Sequence, residues 1–136
     1  MVVNLLQLNG PAQVALGQDT TVCHNSQSTL VATPANGTGT YDIGWLQNGL
    51  PLVATGATLP IGPMAFSATY VATVWDGCSA DSDTVVVTVL PPLQIAAGPA
   101  QTVCLGTPVT LEALGAGGNG GPYTYTWTLN GAPAAN

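Results

Sequence analysis

Val14-Ala15-Leu16-Gly17-Gln18-Asp19-Thr20-Thr21-Val22-Cys23 is answered 81 residues later by Ile95-Ala96-Ala97-Gly98-Pro99-Ala100-Gln101-Thr102-Val103-Cys104. The echo continues as Thr29-Leu30-Val31-Ala32 returns in Thr110-Leu111-Glu112-Ala113, so eight of the twenty positions from 14 to 33 are identical to those from 95 to 114 without a gap. Past a glycine-rich interruption the register slips by one. Tyr41-Asp42-Ile43-Gly44-Trp45 with Asn48-Gly49 then matches Tyr123-Thr124-Tyr125-Thr126-Trp127 with Asn130-Gly131. A period of this length is a domain-sized unit, and a chain built on it reads as a stretch of tandem array.

Between the echoes there is no helical periodicity. Short Val/Thr/Ile/Tyr/Trp runs alternate with Gly, Pro, Asn and Asp clusters, the pattern of an all-β sandwich. Strands are expected over 14–16, 20–22, 28–33, 41–47, 50–54, 58–61, 68–75 and 83–90. Turns are expected at Pro34-Ala35-Asn36-Gly37, Asn48-Gly49, Gly62-Pro63 and Asp76-Gly77, because Asn, Asp and Gly tolerate positive φ. Trp45 falls mid-strand and is expected to anchor the core. Pro91-Pro92 cannot continue a central strand and marks a stiff junction.

Three segments follow. Residues 13–92 form a complete repeat, and residues 93–136 the N-terminal half of a second. Residues 1–12, whose Val2–Leu8 lies on Asp83–Val89 when shifted by 81, form the last strand and linker of a preceding repeat. Alternatively they donate a strand to a neighbouring molecule through Val2, Val3, Leu5, Leu6 and Leu8.

Composition narrows the function. The 136 residues are 46% hydrophobic, enough for a core, yet they include six acids and no Lys or Arg. Average usage would give roughly 15 basic residues. Without them phosphate neutralisation is impossible, which excludes nucleic acid as a partner, and an anionic membrane surface is equally unsuited. Schiff-base chemistry is excluded with lysine. No run reaches the ~20 apolar residues of a membrane helix, and residues 1–10 lack the basic start of a signal peptide, so an export signal is expected outside this stretch. A surface made of Thr, Ser, Asn, Gln and Gly suits an inert, secreted material.

Cys23, Trp45 and Cys78, with Tyr70-Val71-Ala72-Thr73-Val74-Trp75-Asp76-Gly77-Cys78, resemble the Ig-like and PKD-like repeats of bacterial surface adhesins, above all the giant filamentous adhesins of gliding bacteria that use type IX secretion. The matching motifs are Gly17…Thr21-Val22-Cys23, Ile43-Gly44-Trp45 and Val74-Trp75-Asp76-Gly77-Cys78, and in the second repeat Cys104-Leu105-Gly106 and Tyr125-Thr126-Trp127. The acidic Asp-Phe-Gly-Asp-Gly turn of strict PKD domains is absent after both tryptophans. The resemblance implies tandem Ig-like sandwiches, one complete and one partial, in an extracellular fibre or adhesin at the cell surface, without catalysis. The alternatives are a filament subunit assembling by strand exchange and a carbohydrate-binding accessory module of a secreted protein. Partners would be neighbouring repeats or copies of the chain, and surface glycans in the binding alternative.

Cys23 opens the complete repeat and Cys78 closes it, so a disulfide between them is expected, the alternative being two independent thiols. Cys104 matches Cys23 and is left unpaired, or bonded to another chain. Lone His24 beside Cys23 is expected on an exposed turn, with no acid–base role. Asp76, Asp81 and Asp83 are candidates for Ca²⁺, which takes several oxygen ligands, although their spacing fits no known loop and turn or surface roles serve equally. No cofactor is otherwise expected. Asp19-Thr20-Thr21 and Asp83-Thr84-Val85 resemble O-glycosylation sites of such bacteria, and Asn36-Gly37-Thr38 fits an N-glycosylation sequon. Trp75 should face away from Val74, which makes it the exposed aromatic best suited to stack on a sugar.

Overall fold

The computed structural model describes residues 9–134, and the expected donor segment Val2–Leu8 lies outside them. The chain divides into two compact units, residues 1–89 and 90–136. Both are built of strands alone among the described residues.

Unit 1 is a sandwich. One layer is a five-stranded sheet in the order β2-β9-β8-β5-β6, with β2 Thr20–Val22, β5 Asp42–Gln47, β6 Leu50–Thr55, β8 Ala68–Trp75 and β9 Ala80–Val89. The facing layer contains β1 Gln13–Ala15 paired with β4 Thr33–Ala35, and β3 Ser28–Val31 paired with β7 Thr58–Ile61. Alternation places one face of each strand inside. Val14, Leu16, Leu30, Ala32, Leu59 and Ile61 meet Ala68, Tyr70, Ala72, Val74, Val85 and Val87 across the core. Trp45 is 2% exposed at its centre, and its indole Nε1 donates to the Gly56 carbonyl at 2.9 Å. That bond meets the polar demand that burying an indole creates.

The expected strands stand at nearly the expected places. Pro34-Ala35 is the exception: both belong to β4, and the turn lies beyond them over 36–39, with Asn36 and Gly37 each at φ 60°. Proline is tolerated there because its missing N–H faces away from the short β1 ladder.

The first strand changes layers. β1 runs antiparallel to β4, then Gly17 at φ 86° lets the chain cross, and β2 continues parallel to the end of β9, with Thr20 opposite Val87 and Val22 opposite Val89. Only glycine takes this conformation without strain. The chain therefore enters unit 1 beside Gly37 and Ser79, which bond Gly10 and Ala12, and leaves at the opposite pole beside Val22.

This crossing overturns the expected disulfide. All three cysteines are free and exposed. Cys23 follows Val22 at the exit pole, whereas Cys78 precedes β9 at the other; the length of β9 separates them by about 30 Å, and a disulfide requires Cα atoms within about 7 Å.

Unit 2 reproduces part of this pattern with the same register. β10 Gln94–Ala97 pairs with β11 Ala113–Ala116, Gln94 opposite Ala116 as Gln13 is opposite Ala35. β12 Thr128–Leu129 pairs with β13 Ala132–Pro133, as Leu46-Gln47 pairs with Leu50-Pro51. The segments 101–103 and 109–111, which repeat β2 and β3, form no strand.

Candidate functional site

The acids expected to gather near Cys78 are dispersed along β9 and its turn, each occupied by backbone N–H groups. Asp76 closes the entry pole. Its Oδ1 accepts from Ser79 N at 2.7 Å and Cys78 N at 2.9 Å, and its Oδ2 accepts from Thr38 N at 2.9 Å. The Ser79 and Cys78 amides first, then that of Thr38, hold the Asp76 carboxyl at about 2, below the usual 3.8. A Cβ on Gly37 would collide with this carboxylate. The Thr38 hydroxyl donates to the Asp76 carbonyl at 3.0 Å and so ties both turns together.

Asp81 and Asp83 serve another purpose. β1 has no backbone partner on its β9 side. Instead Ala12 N donates to Ser79 Oγ at 2.8 Å, Val14 N to Asp81 Oδ2 at 3.0 Å and Leu16 N to Asp83 Oδ2 at 2.8 Å. Each pair is 67 residues apart, so three alternate N–H groups meet three alternate side-chain acceptors in register. Asp19 reciprocates, its Oδ1 accepting from Val86 N at 2.8 Å. This acceptor row joins the two layers along one margin of the sandwich. Sequence reasoning missed it, although the spacing Ser79-x-Asp81-x-Asp83 opposite Ala12-x-Val14-x-Leu16 is its visible trace.

Among the described residues no three His, Cys, Asp or Glu side chains converge as metal ligands do. At least one carboxylate oxygen of each of Asp76, Asp81 and Asp83 is held by a backbone amide. His24 is half-buried where an exposed turn was expected, and its Nδ1 is sealed from solvent without a partner.

The modification candidates are divided. Thr20 and Thr84 are exposed on β2 and β9. The Asn36 side-chain nitrogen, which an N-linked sugar would require, donates to Gln13 Oε1 at 2.7 Å. Trp75 is 52% exposed and stands opposite fully buried Val74, on the face expected for it. It pairs across the sheet with Asp42.

An open groove of about 630 Å³ lies between β6 and β7. Leu52, Leu59, Ile61, Met64 and Tyr70 line it, and Phe66 stands exposed at its side. No carboxylate, histidine or cysteine is among its walls. Such a lining offers apolar contact and no general acid or base working near neutral pH.

No protein-family profile matches the chain, and no curated protein does. Solved structures are similar in fold. An I-band fragment of titin aligns over 93% of this chain and 49% of its own length, with TM-score 0.59 and 14% identity. The N-terminal four Ig domains of Dscam1 isoform 6.9 align over 99% of this chain and 38% of theirs, with TM-score 0.56 and 21% identity. The PKD domain of human KIAA0319 aligns over 68% of this chain and 89% of its own, with TM-score 0.51 and 19% identity. The chain thus spans less than half of the titin and Dscam1 fragments. At these identities the likeness establishes an Ig-like, PKD-like sandwich.

Proposed function

We propose that this chain is a structural repeat module of an extracellular or cell-surface fibre, a link in a line of Ig-like sandwiches. One observation carries the reading: the chain enters unit 1 at one pole and leaves at the other, with its first-layer crossing strand β2 parallel to the exit strand β9. Tension between the termini then shears β2 against β9, loading their hydrogen bonds together instead of one after another. The acceptor row adds a second tie between the same regions.

Composition supports the setting. A surface without Lys or Arg offers no site to proteases that cut after basic residues, and it suits an exposed fibre. The resemblance to adhesin repeats of gliding bacteria points the same way. Two experiments test the reading. Stretched by its ends, the chain should release unit 1 in one step of about 240 Å, the extended length of residues 13–89 less the pole-to-pole span of the folded unit; gradual lengthening at low force would refute the mechanical role. Antibody to unit 1 should label intact cells of the source organism, and staining confined to permeabilised cells would refute the location.

A further inference from the structure

One lateral margin of unit 1 is open. β6 ends the five-stranded sheet and β7 ends its pair with β3, and the groove between them is walled by Leu52, Leu59, Ile61, Met64 and Tyr70. No charged residue lies between Ile43 and Trp75. Asp19, Asp76, Asp81 and Asp83 lie on or against β9 and the turn before it, across the sheet from β6. Asp42 begins β5, and it is the other end of that strand, Gln47, that borders the groove. Beside this hole stands a knob. Phe66 is 84% exposed, yet the loop that carries it is held on both sides. Asn25 N donates to Met64 O at 2.8 Å, Met64 N donates to Ser26 O at 3.1 Å, and Val89 N donates to Ser67 Oγ at 2.8 Å. Val53, on the same rim, is 101% exposed.

We infer that this margin is a contact between two copies of the chain, in which the Phe66 ring of each enters the groove of the other. The knob and the hole occupy one patch of one molecule, and that self-complementarity is what a two-fold interface requires. Charge selects the same partner. The chain carries a net charge of −6 with no Lys or Arg, and like charge holds copies apart wherever carboxylates would meet. Along the neutral stretch from Ile43 to Trp75 two copies approach without opposing them. Aromatic residues and Met are enriched, and charged residues depleted, at the centre of such contacts. Size agrees as well: a cavity of roughly 150 Å³ holds a benzene ring, so a groove of about 630 Å³ admits the phenyl ring with aliphatic neighbours. Side chains make the contact. The flanking strands carry Pro51 and Pro60, which lack the N–H that an added strand would read. Because its loop is already pinned, Phe66 loses little freedom on entering, which lowers the cost of association. A two-fold pair fills both grooves, so association ends at two copies. The inference stands on unit 1 alone and does not depend on the fibre reading.

Sedimentation equilibrium of the full chain tests this, under reductant so that the three exposed thiols stay apart. A reversible equilibrium between one copy and two should appear by about 1 mM, with no larger species. Phe66→Ala should weaken it at least about tenfold, as truncating a buried aromatic anchor does. The unfolding midpoint should stay unchanged, because the ring is exposed in the single copy. Leu105→Ala is the control: that side chain is 106% exposed away from the groove, and its truncation should leave the association constant within about twofold. A photoreactive benzophenone side chain at position 66, in a mixture of isotope-labelled and unlabelled chains, should crosslink to the partner's Leu52, Val53 or Met64. A chain that stays single at about 1 mM would overturn the inference. So would a dimer that Phe66→Ala leaves intact, equal weakening by Leu105→Ala, growth beyond two copies, or crosslinks confined to one chain or falling outside the groove.

Discussion

Units 1 and 2 begin with nearly the same text and reach different ends. Trp45 is sealed in a core, and Trp127 is only half-covered. The strands that survive in unit 2 are those whose partner lies in the first half of the repeat: β10 with β11, and β12 with β13. The strands that fail are those whose partner lies in the second half. Residues 101–103 repeat β2, which needs β9, and residues 109–111 repeat β3, which needs β7. Strand propensity is therefore insufficient here. Thr-Val-Cys forms a strand at 21–23 only as far as Val22, where β9 lies alongside, and forms none at 102–104. β-propensity measures fit to a neighbour more than an intrinsic preference.

Equivalent substitutions in the two units sharpen this contrast, beginning with the core. Trp45→Ala should destabilise unit 1 by about 3–5 kcal/mol and Leu30→Ala by about 2–5 kcal/mol, the range for large-to-small changes in a packed core. Trp127→Ala and Leu111→Ala should each cost under about 1 kcal/mol, as at weakly buried positions. Urea unfolding followed by circular dichroism measures all four, and equal losses in both units would erase the distinction.

Next come the acceptors, which have no counterpart among the described residues of unit 2. Asp83→Leu leaves the Leu16 amide without its acceptor and should cost about 1–3 kcal/mol. Exchange at Leu16 should accelerate far more than exchange at Val74, deep in β8. Uniform acceleration would mean that the row does not hold β1 in particular.

The turns give a smaller effect. Gly37→Ala adds a side chain at φ 60° against the Asp76 carboxylate, whereas Gly118→Ala, at φ 56°, meets only the Leu93 side chain at 3.7 Å. Both carry backbone strain of about 1 kcal/mol, and the first should exceed the second in thermal unfolding.

Acid gives a signed test. The Asp76 carboxyl is lowered in the folded state to about 2. Its contribution is thus complete above the unfolded value near 4 and is lost as pH falls from about 4 towards about 2. Asp76→Asn should flatten the decline of unit 1 stability in that window. Unit 2, whose one acid is Glu112, should show no such loss. Smallest of all is the response to reductant: with Cys23 and Cys78 at opposite poles, dithiothreitol should leave the unfolding midpoint of unit 1 unchanged.

Much of the architecture was legible in the sequence because it is written locally. Alternation located β8, Asn48-Gly49 located the β5–β6 hairpin, and the 81-residue echo foretold matching registers. Trp45 announced the core by its size and place. What stayed hidden depends on which strands become neighbours. The parallel run of β2 beside β9 has no local signature, so Cys23 and Cys78 looked like two ends of one clasp while lying at opposite poles. Asp81 and Asp83 looked like a loose acidic cluster because their partners, the amides of Val14 and Leu16, lie 67 residues away. Nothing in three nearby carboxylates says whether they face a cation or a peptide.

The side-chain bonds along β1 have one more consequence. A bare strand margin invites other chains to add themselves, and crowded β-rich proteins coalesce by that route. On β1 every second amide on the outer side is already engaged by Ser79, Asp81 or Asp83, so an incoming strand finds no donors to read. Molecules packed shoulder to shoulder then meet a closed margin at β1, without the lysines that commonly guard such margins.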